Sequence, residues 1–368
     1  MTSNFQPLRC INLTNRLRPT RFAFSFAFTL LAALLCIGGC DRGEKASKPT
    51  AGPTASGKKT SIVVTTGMIR DMVVALVGDD ADVHWIMGPG VDPHLYQPTR
   101  TDSVKMLQAE IVVYNGLHLE GRLSETLRQR EKRSGTTISV GDLLPQDRLV
   151  EADAGTYDPH IWMDVDLWGD ATLLVADKMA DAMPAQADSI RKRAQEYHDK
   201  LAALDKWGAK AIESIPEERR VLITAHDAFN YFSRRYKIGV HAPQGISTAS
   251  EPSIREINDL VKLVVDKKVP AIFFESSVSP RAVESIVEGA KQGGVDVSDD
   301  YELFSDSLGA ENSPQGNYIG MLRHNFSEIT RGLGGTIPES ETEPPVAEEK
   351  TEPVTSSALS ASETGAFS

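Results

Sequence analysis

Three histidines in this chain share a local setting. His94 follows Gly90-Val91-Asp92-Pro93, His160 follows Tyr157-Asp158-Pro159, and His226 stands directly behind the apolar run Val221-Leu222-Ile223-Thr224. A carboxylate, Asp306, sits in Leu303-Phe304-Ser305-Asp306-Ser307. Proline fixes φ and removes a donor, so each Asp-Pro-His stiffens the turn that aims its imidazole. A neighbouring carboxylate can hold the ring's second nitrogen, a role open to Asp92 and Asp158. Three neutral imidazoles and one carboxylate suit a borderline divalent metal such as Zn²⁺, and also hold Mn²⁺ or Fe²⁺. Four protein ligands leave little room for an activated water, which favours capture over catalysis. The exported metallohydrolase, the enzyme alternative, lacks both an H-E-x-x-H helix and a G-x-S-x-G elbow. Taken singly, a histidine behind a strand is also an ordinary packed or surface side chain, and spacing alone leaves both readings open.

For the four to meet, the chain must bring them to one place. Ile62–Thr66, Val83–Met87 and Ile111–Tyr114 read as strands, with helices near Met68–Leu76 and Thr101–Ala109. A second set starts at Val221–Thr224 and runs through helices near Ala228–Tyr236 and Ile254–Val265 to Ala271–Phe274. Short apolar strands alternating with helices predict an α/β fold with parallel sheets flanked by helices. Two such sets predict two lobes, residues 61–184 and 216–336. Ligands in open α/β sheets bind beyond the carboxyl ends of strands, where His94 and His226 fall. His94 and His160 then come from the first lobe, His226 and Asp306 from the second. Between the lobes, residues 185–215 are helix formers throughout, opened by Pro184 and closed by Pro216. A single helix of that length spans about 45 Å, which predicts a restrained hinge.

The ends of the chain carry a different message. The basic stretch ending at Arg21 is followed by the apolar run Phe22–Ile37 and by Gly38-Gly39-Cys40. That is the layout of a secretory signal over residues 1–39, its apolar run at the short edge for a membrane span. Ile37-Gly38-Gly39-Cys40 resembles a bacterial lipobox, so Cys40 is the expected lipidation site. With Cys10 and Cys36 removed and Cys40 lipidated, the body keeps no thiol, and any metal site must use His, Asp and Glu. Residues 40–60 read as a flexible tether, and 337–368, with seven Glu to one Lys, as a disordered acidic tail. A formal net charge of -12 with no Lys/Arg stripe argues against nucleic acid as a partner.

At these residues the chain resembles the TroA-type metal-binding lipoproteins that serve zinc and manganese ABC importers. The likeness runs from about Ser61 to Leu333 through GPGVDPHLYQPT, YNGLHLE, DPHIWMDVDLW, LITAHDAFNYFSRRY, QGISTASE, IFFESSVS and ELFSDSLG, in that order. It implies two α/β lobes joined by one long backbone helix, and metal ligation by His94, His160, His226 and Asp306. It also implies a non-enzymatic function: capture of one Zn²⁺ or Mn²⁺ outside the cytoplasmic membrane. The carrier would be a lipid-anchored monomer that delivers the ion to a permease with its ATPase subunit. A surface adhesion lipoprotein is the alternative that the same resemblance allows. Manganese-dedicated relatives often carry Glu where His226 stands, and zinc-dedicated ones a long His/Asp-rich loop that Leu123–Asp158 lacks, so the two features pull apart. Glu251 and Glu275 lie in family-like motifs near the ligands. His84, His118, His198, His241 and His324 read as structural or surface residues, His198 facing solvent.

Overall fold

A computed structural model describes residues 59–132, 135–152 and 155–339. Cys40, the signal and nearly all of the tether lie outside these residues, as does the acidic tail beyond Glu339. The first half of the fold is built from β1 (Thr60–Val64), α1 (Gly67–Val77), β2 (Ala81–Trp85), α2 (Arg100–Gln108), β3 (Ile111–Tyr114), α3 (Ser124–Glu131), β4 (Thr136–Ser139), α4 (Val140–Leu143) and α5 (Val165–Ala182). Its four strands form one parallel sheet in the order β2-β1-β3-β4. The apolar runs of the central strands, Ile62–Val64 in β1 and Ile111–Val113 in β3, are buried, while β2 at the edge alternates. The strands expected at Ile62–Thr66 and Val83–Met87 both begin and end two residues earlier.

After the long helix α6 (Ala187–Glu213) come β5 (Val221–Ile223), α7 (Asn230–Tyr236), β6 (Gly239–His241), α8 (Ile254–Lys267), β7 (Ala271–Glu275), α9 (Arg281–Gln292), β8 (Ser298–Leu303) and α10 (Tyr318–Gly332). β5 pairs with β6 and β7 with β8, both parallel, and β5 packs beside β7. Capping boxes start α2 (Thr99 with Asp102) and α8 (Ser253 with Glu256), and Asn317 caps α10.

α6 is preceded by a 3₁₀ turn, Pro184–Gln186, so the helix proper starts two residues later than the composition suggests. Its inward face repeats at three and four residues: Ile190, Ala194, Tyr197, Leu201, Leu204, Gly208, Ala211. That stripe packs on α5, α1 and α10, so one continuous core runs from Ile62 and Val64 to Phe326 and Leu333. Polar bonds tie the same helix to both halves. Arg193 reaches Asp80 at 2.7 Å and Tyr197 reaches Asp71 at 2.7 Å, while Asp205 accepts from Tyr236 at 2.9 Å and pairs with Arg235. His198 is half-buried rather than solvent-facing, its ring resting over Gly169. The last described residues lie along α6: Ser214 bonds the backbone of Thr336, and Trp207 Nε1 donates to Pro338 O at 3.1 Å.

The closest approach on this helix is at Gly208, where a Cβ would stand 2.3 Å from the Phe326 ring. That ring is fenced by Trp207, Phe232 and Tyr236 and cannot retreat. Gly208→Val should therefore lower stability by roughly 1–3 kcal/mol through overpacking, read as a lower urea midpoint with an unchanged slope; an unaltered midpoint would show that α10 yields freely.

Candidate metal centre

The four residues singled out by type and spacing converge. His94 lies in the irregular segment between β2 and α2. His160 precedes a 3₁₀ turn, Ile161–Met163, that leads into α5. His226 comes three residues after β5 ends, held there by a parallel bridge to Gln244, and Asp306 three after β8. One donor atom from each lies within 4.8 Å of all the others. His94 Nε2 is 3.2 Å from His160 Nε2. Asp306 Oδ2 stands 3.4 Å from His94 Nε2 and 3.3 Å from His226 Nε2, and Oδ1 stands 3.4 Å from His160 Nε2. Donors sharing one tetrahedral zinc-sized ion sit about 3.3 Å apart, given metal–ligand distances near 2 Å. The spacing is therefore already that of a coordination shell, and both carboxylate oxygens face its centre.

Burial sharpens the point. His160 and His226 have no exposed surface and Asp306 has 2 %. His226 Nε2 and both oxygens of Asp306 are buried without any hydrogen-bond partner. Unpaired buried polar atoms are expensive, and here they point at one place. A cation there would satisfy all of them.

The rings are aimed from behind. Asp158 Oδ1 accepts from His160 Nδ1 at 2.7 Å and from the His160 backbone at 2.9 Å, and its Oδ2 accepts from Asn230 at 3.1 Å. Glu275 Oε2 bonds His226 Nδ1 at 2.5 Å, while Oε1 accepts from the backbone of Ala225 and His226 at 2.7 and 2.9 Å. Each carboxylate accepts the Nδ1–H hydrogen bond, which fixes the tautomer and directs Nε2 to the centre. Asp92 differs, despite the same Asp-Pro-His context. It accepts from the backbone of His94 at 2.8 Å and from Thr248 Oγ1 at 2.6 Å, so it shapes the turn and bonds a distant loop instead of orienting the ring. Among the described residues no carboxylate bonds His94 Nδ1. Glu251 is exposed. Sequence reading missed Asn230 and Thr248, whose contacts arise only on folding. Further bonds join the two halves beside the cluster: Gly90 N to Ser307 Oγ at 3.1 Å and Trp162 Nε1 to Ser305 O at 2.8 Å.

The electrostatics follow from this packing. Burial pushes the His160 and His226 imidazoles towards neutrality, but the flanking carboxylates outweigh it. Asp158 and Asp306 raise His160 to about 9, and Glu275 with Asp306 raises His226 well above its usual range. His94, desolvated and facing two other imidazoles, is lowered to about 4 although Asp306 opposes the shift. Asp306 is held well below the usual carboxylate range because His226 and His160 overcome its own burial.

A helix-bridged α/β protein with a buried, cation-sized set of three imidazoles and one carboxylate is what the fold and cluster define. The family model described as "Zinc-uptake complex component A periplasmic" matches residues 62–332, and the chain belongs to that family. The manganese-binding lipoprotein MntA of Bacillus subtilis is 39% identical, over 83% of this chain and 97% of that protein. The zinc-binding protein TroA of Treponema pallidum is 37% identical, over 76% and 90% respectively. The solved structure of the periplasmic zinc-binding protein TroA from Treponema pallidum superposes with a TM-score of 0.73 at 37% identity, covering 75% of this chain and 99% of that one.

A cation entering the cluster must displace protons. With the His160 pKa at about 9 in the ion-free cluster, that ring is charged at pH 7, and the competition strengthens as pH falls and fades as pH rises through that value. Calorimetric titration of Zn²⁺ at pH 7, in buffers of different ionisation enthalpy, should show net proton release, and apparent affinity should drop on acidification. Zero net release would mean that the imidazoles are already neutral.

Proposed function

We propose that this chain is the extracytoplasmic receptor of an ABC importer, which takes up one Zn²⁺ or Mn²⁺ through His94, His160, His226 and Asp306 and hands it to a permease driven by its ATPase subunit. The single observation that carries the reading is the convergence, from both halves of the fold, of unpaired buried donors on one point. Membership of the zinc-uptake family supports it, as do relatives named for manganese and for zinc binding. The five donor atoms that face the centre leave little room for a reactive water, which favours carriage over hydrolysis.

In this reading residues 61–184 and 216–336 act as the two lobes, and 185–215 as the link that restrains their movement. Residues 1–39 are the export signal, Cys40 the lipid-bearing residue, 40–60 the tether and 337–368 an acidic tail whose first residues lie along α6. The protein works as a monomer on the outer side of the cytoplasmic membrane, and its only membrane contact is the lipid. Among the described residues no helix is long and apolar enough to cross a bilayer.

Metal analysis of the full chain should give one divalent ion per molecule. Zn²⁺ should bind more tightly than Mn²⁺ in vitro whichever ion is carried, since affinity rises along that series for a fixed donor set. His94→Ala and Asp306→Ala should abolish stoichiometric binding, and Asp158→Asn should weaken it by about 10- to 100-fold. A stoichiometry near zero, or alanine variants that bind like the parent, would refute the assignment.

A further inference from the structure

Behind the cluster, at the carboxyl end of β3, the backbone does something that L residues avoid. Three consecutive positions are left-handed: φ is +79° at Gly116, +51° at Leu117 and +68° at His118. Glycine tolerates this conformation; leucine and histidine are strained in it and stay there only where the surroundings over-determine them. The surroundings here are specific. A Cβ on Gly116 would lie 2.1 Å from Ser139 Oγ, and one on Gly141 would lie 2.5 Å from Leu117 Cγ, so the turn is seated against the end of β4 and the start of α4.

At the centre of the turn is a carboxylate used by nothing described above. Glu120 is buried, and its oxygens accept from the backbone N–H of Asn115 at 2.7 Å and of Gly116 at 3.1 Å, and from Thr65 Oγ1 at 2.7 Å. Successive backbone N–H groups at such a turn form a concavity that binds anions, and here the anion is the chain's own side chain. Burial raises the Glu120 pKa, and the same three donors oppose the rise. Thr65 lies just past β1, so one carboxylate ties together the carboxyl ends of β1 and β3.

The turn also has an output. The Asn115 side-chain amide donates to Pro159 O at 2.9 Å and to Gly116 O at 3.2 Å. Pro159 immediately precedes His160. Asp158 thus fixes the His160 ring on one side, while the Asn115 amide fixes the peptide that carries it on the other. We propose that Glu120 is a positioning residue for His160: its carboxylate stabilises the left-handed turn, the turn sets the Asn115 amide, and the amide holds Pro159 so that His160 Nε2 meets the other three ligands. This rests on the reading of the four residues as an ion-binding set. It also gives the Tyr114–Glu120 segment a task at the site, although none of its side chains belongs to the cluster.

The test compares Glu120→Gln, Asn115→Ala and His160→Ala with the parent, all as the full chain in detergent. Zn²⁺ and Mn²⁺ affinities are measured by chelator competition, and histidine side chains are followed by nitrogen NMR. Glu120→Gln keeps the volume but sets an amide against two N–H donors. Asn115→Ala leaves the carboxylate in place and cuts only the link to Pro159, so it serves even if the first variant fails to fold. Both should bind 10- to 100-fold more weakly, the scale seen when groups behind metal ligands are removed. Both should shift the His160 resonances in the ion-free protein while those of His226 stay put. A purely structural role would lower the unfolding midpoint and leave affinity and the His160 signals of the folded protein alone, and that result overturns the proposal. If the parent and His160→Ala bind equally, the ion-binding reading itself has failed. If only His160→Ala loses binding, that reading stands and the positioning role falls.

Discussion

The structure turns on an electrostatic demand that the chain cannot satisfy by itself. Three imidazole nitrogens and two carboxylate oxygens face one small volume, and among the described residues His226 Nε2 and both Asp306 oxygens there have no hydrogen-bond partner. Desolvated lone pairs in contact repel, and a protein tolerates that only where positive charge occupies the space between them. The facing carboxylates raise the pKa of His160 and His226 against the pull of burial, and a divalent cation at the centre would supply that positive charge instead. Burial that would be a defect in an ordinary core is here what makes the cluster demand positive charge.

Much of the surrounding architecture serves to keep that demand from relaxing. Asp158 and Glu275 each bond a ring nitrogen and are themselves held by backbone or amide donors, so each ring is aimed by a carboxylate that is fixed in place. α6 is bonded to the first half through Arg193 and Tyr197 and to the second through Asp205. With an apolar stripe packed along most of its length, it transmits position from one side of the cluster to the other.

The four converging side chains, His94, His160, His226 and Asp306, were legible in the sequence because their setting is local: a rigid Asp-Pro-His turn, or a histidine or aspartate just past a strand, announces itself within a few residues. The α/β alternation and the long helix were legible because apolar period and proline punctuation are local too. What stayed hidden depends on distance. Asp92 and Asp158 sit in the same motif, yet only one orients its ring, because Thr248, 156 positions away, engages Asp92. Glu275 was marked only by its motif, and its grip on His226 needs β5 beside β7. The strand Ser298–Leu303 escaped notice because its residues are mostly polar and exposed, and helix Ser124–Glu131 because Leu127 is its one buried apolar side chain.

Asp306 offers both of its oxygens to the centre, Oδ1 towards His160 and Oδ2 towards His94 and His226. A carboxylate in that pose can swivel between one-toothed and two-toothed grip by turning a single torsion, with every backbone atom at rest. Ions that prefer four neighbours and ions that want five then find the same seat comfortable. An ion held there would find either coordination number within reach of one torsion of one side chain.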